Sequence, residues 1–96
     1  MVIYVDPQEL RVPGSRATGA DPAKLHRQIA KYGKSAAGMP PIWVIEDPNG
    51  LLMITNGVTR AARIAKLAPG TQVPIDVIGR SKSRFDRFPR IGDVLP

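Results

Sequence analysis

The sequence predicts an α/β (α+β) domain, a small mixed sheet with two main helices. Three observations carry that prediction. Short β-prone runs recur at Val2–Val5, Ile42–Ile45, Leu51–Thr55 and Val73–Ile78. Two longer segments, 22–32 and 57–67, instead repeat apolar residues at helical spacing. Gly, Pro and Asn clusters separate these segments. With 96 residues, 43% of them apolar and 23% charged, the chain has a globular composition and enough length for one modest core.

Each element has a local reason. Val2–Val5 is closed by Asp6-Pro7, and Gln8–Leu10 is expected to make one helical turn before Arg11-Val-Pro13. Residues 14–20 (Gly-Ser-Arg-Ala-Thr-Gly-Ala) are small and polar and read as a flexible loop. Asp21-Pro22 starts the first helix, Asp as N-cap and Pro at the first helical position, and Gly33 stops it after Tyr32. Leu25, Ile29 and Tyr32 form its apolar stripe, while Lys24, Arg27 and Lys31 fall opposite and read as a solvated face. His26, at the edge of the stripe, reads as a partly buried structural histidine.

A second loop, 34–41, ends in Pro-Pro. Ile42–Ile45 and Leu51–Thr55 then form a hairpin across Glu46-Asp-Pro-Asn-Gly50. Both strands are almost continuously apolar, which predicts burial on two faces or a tightly covered sheet. In the second helix Val58, Ala61, Ala62, Ile64 and Ala65 share a broad face that can pack close to the sheet. Thr59, Arg60, Arg63 and Lys66 are expected on the other face. Val73, Ile75 and Val77 alternate as one buried face of the last strand, leaving Asp76 outward.

Charge and composition narrow the function. The net charge is +6. Residues 1–79 carry nine basic and six acidic side chains and 80–96 carry five and two, so each part holds +3. The charge is thus concentrated in a basic C-terminal extension, 80–96, following a domain of residues 1–79. A polyanion is the matching partner class, and Arg80, Lys82, Arg84 and Arg87 are the candidate nucleic-acid contacts. The extension is expected to drape over the domain or to order on binding. The chain has no cysteine and one histidine, which excludes thiol chemistry and argues against a histidine metal site. No run resembles a leader or a membrane span, so a cytoplasmic protein without a membrane partner is the default expectation.

The stretch Ile54-Thr-Asn-Gly-Val-Thr-Arg-Ala-Ala-Arg-Ile-Ala-Lys-Leu67 carries the sharpest functional signal. A strand stops at Asn56-Gly57 and turns directly into a helix. Glycine there would let a ligand approach the backbone, and the free N–H groups of the first helical turn favour an anion. Asn56, Gly57, Thr59, Arg60 and Arg63 form the candidate phosphate- or nucleotide-binding set, with Arg60 the leading member. Asn56 could instead cap the helix.

The order of these motifs resembles the N-terminal domain of the ParB/sulfiredoxin superfamily (the ParB-like nuclease domain). The resemblance rests on "DPAKLHRQIAKYG", then "PPIWVIEDPNGLLMITNGVTRAARIAKL", then "VPIDVI", and covers roughly residues 2–78. It implies a strand-to-helix junction that binds nucleotide phosphates through Gly57, Thr59 and Arg60, with the loop Arg16 to Ala20 beside the same cleft. It also implies that Glu9 could serve as a catalytic base, because kinases of the superfamily carry an acidic residue there. Two departures matter. CTP-binding ParB proteins read Gly-Glu-Arg-Arg where this chain reads Gly57-Val-Thr-Arg60, and sulfiredoxins need a cysteine where Val58 stands. The DNA-reading helix-turn-helix of full ParB proteins does not follow in this chain, so partition-site binding is not expected of it alone.

Three function classes follow. The first is a module binding a nucleotide or nucleic-acid phosphate at Gly57-Val-Thr-Arg60. The second is a ParB-like nuclease or nucleotide-dependent phosphotransferase using Glu9 with Arg60, with a nucleotide and magnesium as cofactors. The third is a protein-interaction module with a vestigial anion site, forming a homo-oligomer through Phe85, Phe88 and the terminal Arg-Ile-Gly-Asp-Val-Leu-Pro.

Overall fold

The computed structural model describes residues 2–96. Its main elements are β1 (Val2–Val5), α1 (Pro22–Tyr32), β2 (Ile42–Glu46), β3 (Leu52–Asn56), α2 (Val58–Leu67) and β4 (Val73–Arg80). Single 3-10 turns lie at Pro7–Glu9, Gly14–Arg16 and Ile91–Asp93. The four strands form one mixed sheet in the order β1-β4-β2-β3. β1 runs antiparallel to β4, β4 parallel to β2, and β2 antiparallel to β3. The parallel pair follows from the α2 crossover between β3 and β4, since a tight turn cannot join parallel strands.

The layers are sheet, α2, then α1. Ile42, Val44, Ile54, Val73 and Ile75 point from the sheet into one cluster with Ala61, Ala62, Ile64 and Ala65 of α2. Small side chains on this face let the helix sit close to the strands. α1 packs against α2 and contributes Leu25, with Ile29 half-buried beside it. The start of α1 matches its sequence signals: the Asp21 side chain accepts from the Lys24 N–H, and Pro22 occupies the first turn. Its end does too, with Gly33 at φ 59°.

Four features differ from the sequence reading. First, the two faces of β2 and β3 are covered unequally: on the side away from the core cluster Met53 is buried and Ile45 half-buried, but Trp43 is exposed. Second, the 14–20 segment is tied down: Gly14–Arg16 forms a turn and Ala20 is buried. A Cβ at Gly19 would lie 2.7 Å from the Val94 carbonyl oxygen, so the C-terminal segment packs directly on this loop. Third, His26 is exposed.

Fourth, β4 runs through Arg80, and the segment after it is built into the sheet and core. The Arg11 N–H donates to Leu52 O at 2.8 Å and the Ile54 N–H to Arg11 O at 2.9 Å, which lays residues 10–12 on the outer edge of β3. The Val12 N–H then donates to Pro89 O and the Ile91 N–H to Leu10 O, adding 89–91 outside it. Phe85 and Ile91 are buried. Asp47 holds this segment to the hairpin: its carboxylate accepts from the N–H groups of Asn49, Leu51 and Phe85.

Candidate functional site

The junction predicted from Asn56 to Arg63 is present, but the side chains are arranged differently. α2 begins at Val58, with Gly57 at φ 113° as its N-cap and no side-chain cap. Asn56 therefore does not cap the helix. Its Oδ1 accepts from Arg60 Nη2 at 3.4 Å instead. What approaches the backbone at Gly57 is the chain's own guanidinium. A Cβ there would stand 2.8 Å from Arg60 Nη2 and 3.2 Å from Ile42 Cγ1. Arg60 folds back over the helix start and donates to Pro41 O at 3.2 Å.

Arg63 is only 3% exposed, against the expectation of an outward face. Because α1 lies over α2, the face expected to meet water is covered, and Thr59 is buried with it. The Arg63 Nη1 donates to Gly33 O and Ser35 O, both at 2.8 Å. Those carbonyls stand at and just beyond the end of α1, where helical C=O groups lack partners. The guanidinium carbon also lies 5.3 Å from the centroid of the Tyr32 ring. Arg63 thus holds the 33–41 loop as well as contributing charge.

Between α1, α2 and that loop is a cavity of about 290 Å³, lined by Gln28, Tyr32, Gly38, Met39, Arg60 and Arg63 among others. Its wall contains no carboxylate and no imidazole. Burial lowers the pKa of both arginines, partly offset at Arg63 by Tyr32. Both remain charged at neutral pH. Arg60 Nε, Arg63 Nε and Gln28 Oε1 are buried without a hydrogen-bond partner; among the described residues the other such side-chain atom, Arg11 Nε, lies outside this cavity.

An open groove of about 300 Å³ adjoins the cavity and shares Gln28 and Tyr32 with it. Its other lining residues are Lys24, Arg27, Lys31 and Thr59. The basic stripe of α1, read from sequence as a solvated face, therefore lies beside the start of α2. Nothing local could have signalled this, because the juxtaposition depends on how the two helices cross.

The remaining candidates lie elsewhere. Glu9 is exposed, pairs with Arg90 at 3.4 Å, and lines a separate cavity of about 160 Å³ next to Gly50–Leu52. It is not brought to Arg60, because the Pro7–Glu9 turn leads into the β3 edge. Arg80 pairs with Glu46 at 3.9 Å, and Arg84 with Asp86 at 3.8 Å. Lys82 and Arg87 are exposed. These tail cations sit at the hairpin end of the sheet, where Arg80 is level with Glu46. Arg60 is anchored at Pro41, beside the opposite end of β2, about 13 Å away at the rise of a strand. The tail and the Arg60 cavity are two separate basic regions.

No family model, curated protein or solved structure matches this chain. Among the described residues no helix is long and apolar enough to cross a membrane. Nor, among them, is any group of three or more His, Cys, Asp or Glu placed to hold a metal ion.

Proposed function

We propose that this chain is a binding module for a phosphate-bearing ligand, a nucleotide or a nucleic-acid phosphate, taken up between Arg60 and Arg63. One observation carries the reading: two desolvated guanidinium groups line the same acid-free cavity. In such a place an anion is held by charge-assisted hydrogen bonds with little competition from water. The volume, about 290 Å³, lies near the lower end of small-molecule sites, so it suits a phosphate with part of its sugar or base. The adjoining groove extends the positive surface through Lys24, Arg27 and Lys31, which favours a ligand with further phosphates. The succession of strands and helices and the Gly57-Val-Thr-Arg60 start of α2 are also what the ParB/sulfiredoxin resemblance implies for a phosphate junction.

A catalytic reading has less support. Activation of water or a hydroxyl needs a base or a metal-held oxygen, and the cavity wall offers neither carboxylate nor imidazole. Glu9, the base the resemblance suggested, faces a different cavity.

The test is a thermal-shift screen of ATP, ADP, CTP and short single- and double-stranded oligonucleotides, with and without magnesium, on wild type and Arg60→Ala. A ligand that binds only the folded state raises Tm by linkage. Arg60→Ala, which removes one charge-assisted donor, is expected to weaken binding about 10- to 100-fold. If no ligand stabilises wild type, or Arg60→Ala responds equally, the reading is wrong.

A further inference from the structure

The cavity that holds Arg60 and Arg63 has a charge that only some phosphates can match. Two guanidinium groups line it, and among the described residues no Asp or Glu lines either the cavity or the adjoining groove. Arg63 is almost wholly buried, and its Nε has no hydrogen-bond partner. Arg60 Nε is likewise buried and unpartnered. Both side chains thus keep a donor free after serving the carbonyls of Pro41, Gly33 and Ser35. A phosphodiester brings one negative charge to this pair. A terminal phosphomonoester brings roughly −1.5 to −2 at neutral pH and three acceptor oxygens. Away from bulk water, the extra attraction of the dianion is little screened.

The groove has the shape of what lies beyond such a terminus. Lys31, Arg27 and Lys24 line it, and all three are exposed. Their spacing of four and three residues puts them on one stripe of α1, about 10 Å long at about 1.5 Å per residue. A stacked strand carries a phosphate every 3.4 Å or so, and a more extended one fewer, so that length serves about two or three phosphodiesters. A nucleoside monophosphate held by the two arginines has nothing to place there.

Tyr32 and Gln28 stand between the two regions and line both. The Tyr32 ring is half exposed, with the Arg63 guanidinium carbon 5.3 Å and the Lys31 ammonium 5.2 Å from its centroid. Arg63 is fixed there by its two carbonyls. Lys31 is an exposed side chain that can move to a phosphate and leave its place to a base. Stacking of this kind needs a base whose face is free, which favours an unpaired strand over a duplex. Gln28 Oε1, buried without a partner, can accept from a sugar hydroxyl or a base amino group.

We infer that the ligand is the phosphorylated end of a single-stranded nucleic acid, an assignment that rests on phosphate uptake by the two arginines. The terminal phosphomonoester sits between Arg60 and Arg63, the adjacent base stacks on Tyr32, and the following phosphodiesters run past Lys31, Arg27 and Lys24.

The experiment is calorimetric titration of the full chain with short DNA strands phosphorylated at one end, at the other, or at neither. A terminal phosphate at one of the ends is expected to tighten binding about tenfold or more. The same margin is expected over an unphosphorylated strand lengthened to equal total charge. Arg60→Ala should erase that preference. Lys24→Gln and Lys31→Gln alter exposed side chains and should keep the preference and the wild-type circular dichroism. Each should weaken every strand about three- to tenfold and lower the slope of log K against log salt by about 0.7. An unphosphorylated strand of equal charge, or a phosphorylated duplex, that binds as tightly overturns the inference. A nucleoside monophosphate that matches the phosphorylated strand, or lysine variants that bind it like wild type, overturns it too but leaves phosphate binding at the arginines standing. If neither monophosphate nor strand binds, both fall together.

Discussion

Replacing Arg63 by alanine is expected to cost far more stability than a helix-surface arginine would. The side chain is buried and donates to two backbone carbonyls at 2.8 Å, those of Gly33 and Ser35. Hydrogen bonds from charged donors contribute about 1.5–3 kcal/mol each. Ser35 is exposed, so its carbonyl can turn to water when the guanidinium is lost, which puts the total at the lower end, about 2–4 kcal/mol. For a domain of this size that corresponds to a fall in Tm of roughly 10–25 °C. Arg63→Met, which refills most of the volume but donates nothing, should lose about half as much. Urea unfolding gives the magnitude. Limited trypsin digestion gives the location, because Lys34 lies in the loop that Arg63 holds, and its cleavage should quicken before the domain unfolds globally. If Arg63→Ala unfolds within about 0.5 kcal/mol of wild type, the anchoring role is refuted.

Two further outcomes follow from the geometry. Burial alone would raise the Asp47 pKa, but the N–H donors of Phe85, Leu51 and Asn49 and the nearby Arg84 outweigh it and hold the carboxyl below its ordinary value. Asp93 is held low by the Arg90 side chain and its backbone N–H. Groups with a depressed folded pKa contribute stability above their unfolded value, about 3.9, and lose it as pH falls through the folded one. Urea midpoints should therefore drop on acidification below about pH 4, and Asp47→Asn should flatten that drop. Gly57→Ala puts a Cβ 2.8 Å from Arg60 Nη2 at a φ of 113°. It should destabilise the fold by about 1–3 kcal/mol and displace Arg60, weakening anion binding together with stability.

Much of the chain's organisation was legible in local signals. The first helix is marked at both ends by residues acting on their own backbone, Asp21 and Pro22 at the start and Gly33 at the end. The period-2 and helical patterns placed the strands to within two residues, the largest difference being that β4 runs on to Arg80. The position of Arg60 at the start of α2 was legible for the same reason.

What the sequence could not supply were directions set by distant neighbours. Arg63 and Thr59 are polar residues on a helix, and by pattern alone they belong to water. They are buried because α1 crosses over α2 and leaves carbonyls at its end that only a long cationic side chain can reach. Asn56 reads as a cap until Arg60 takes its oxygen. Glu9 reads as a neighbour of the site until the Pro7–Glu9 turn sends it to Arg90.

The continuous apolar reading of β2 and β3 suggested burial on two faces or a tightly covered sheet, and on the face away from the core cluster Met53 is buried while Trp43 is exposed. By itself, then, the sequence determined where each main strand and helix begins to within a residue, which aliphatic residues of α2 and β4 face the core, and that a basic helix start follows β3. Only the tertiary structure decided which cations share a cavity and which apolar side chains stay exposed. Periodicity and capping act within a few residues, whereas side-chain partners across the fold depend on how helices and strands pack in three dimensions.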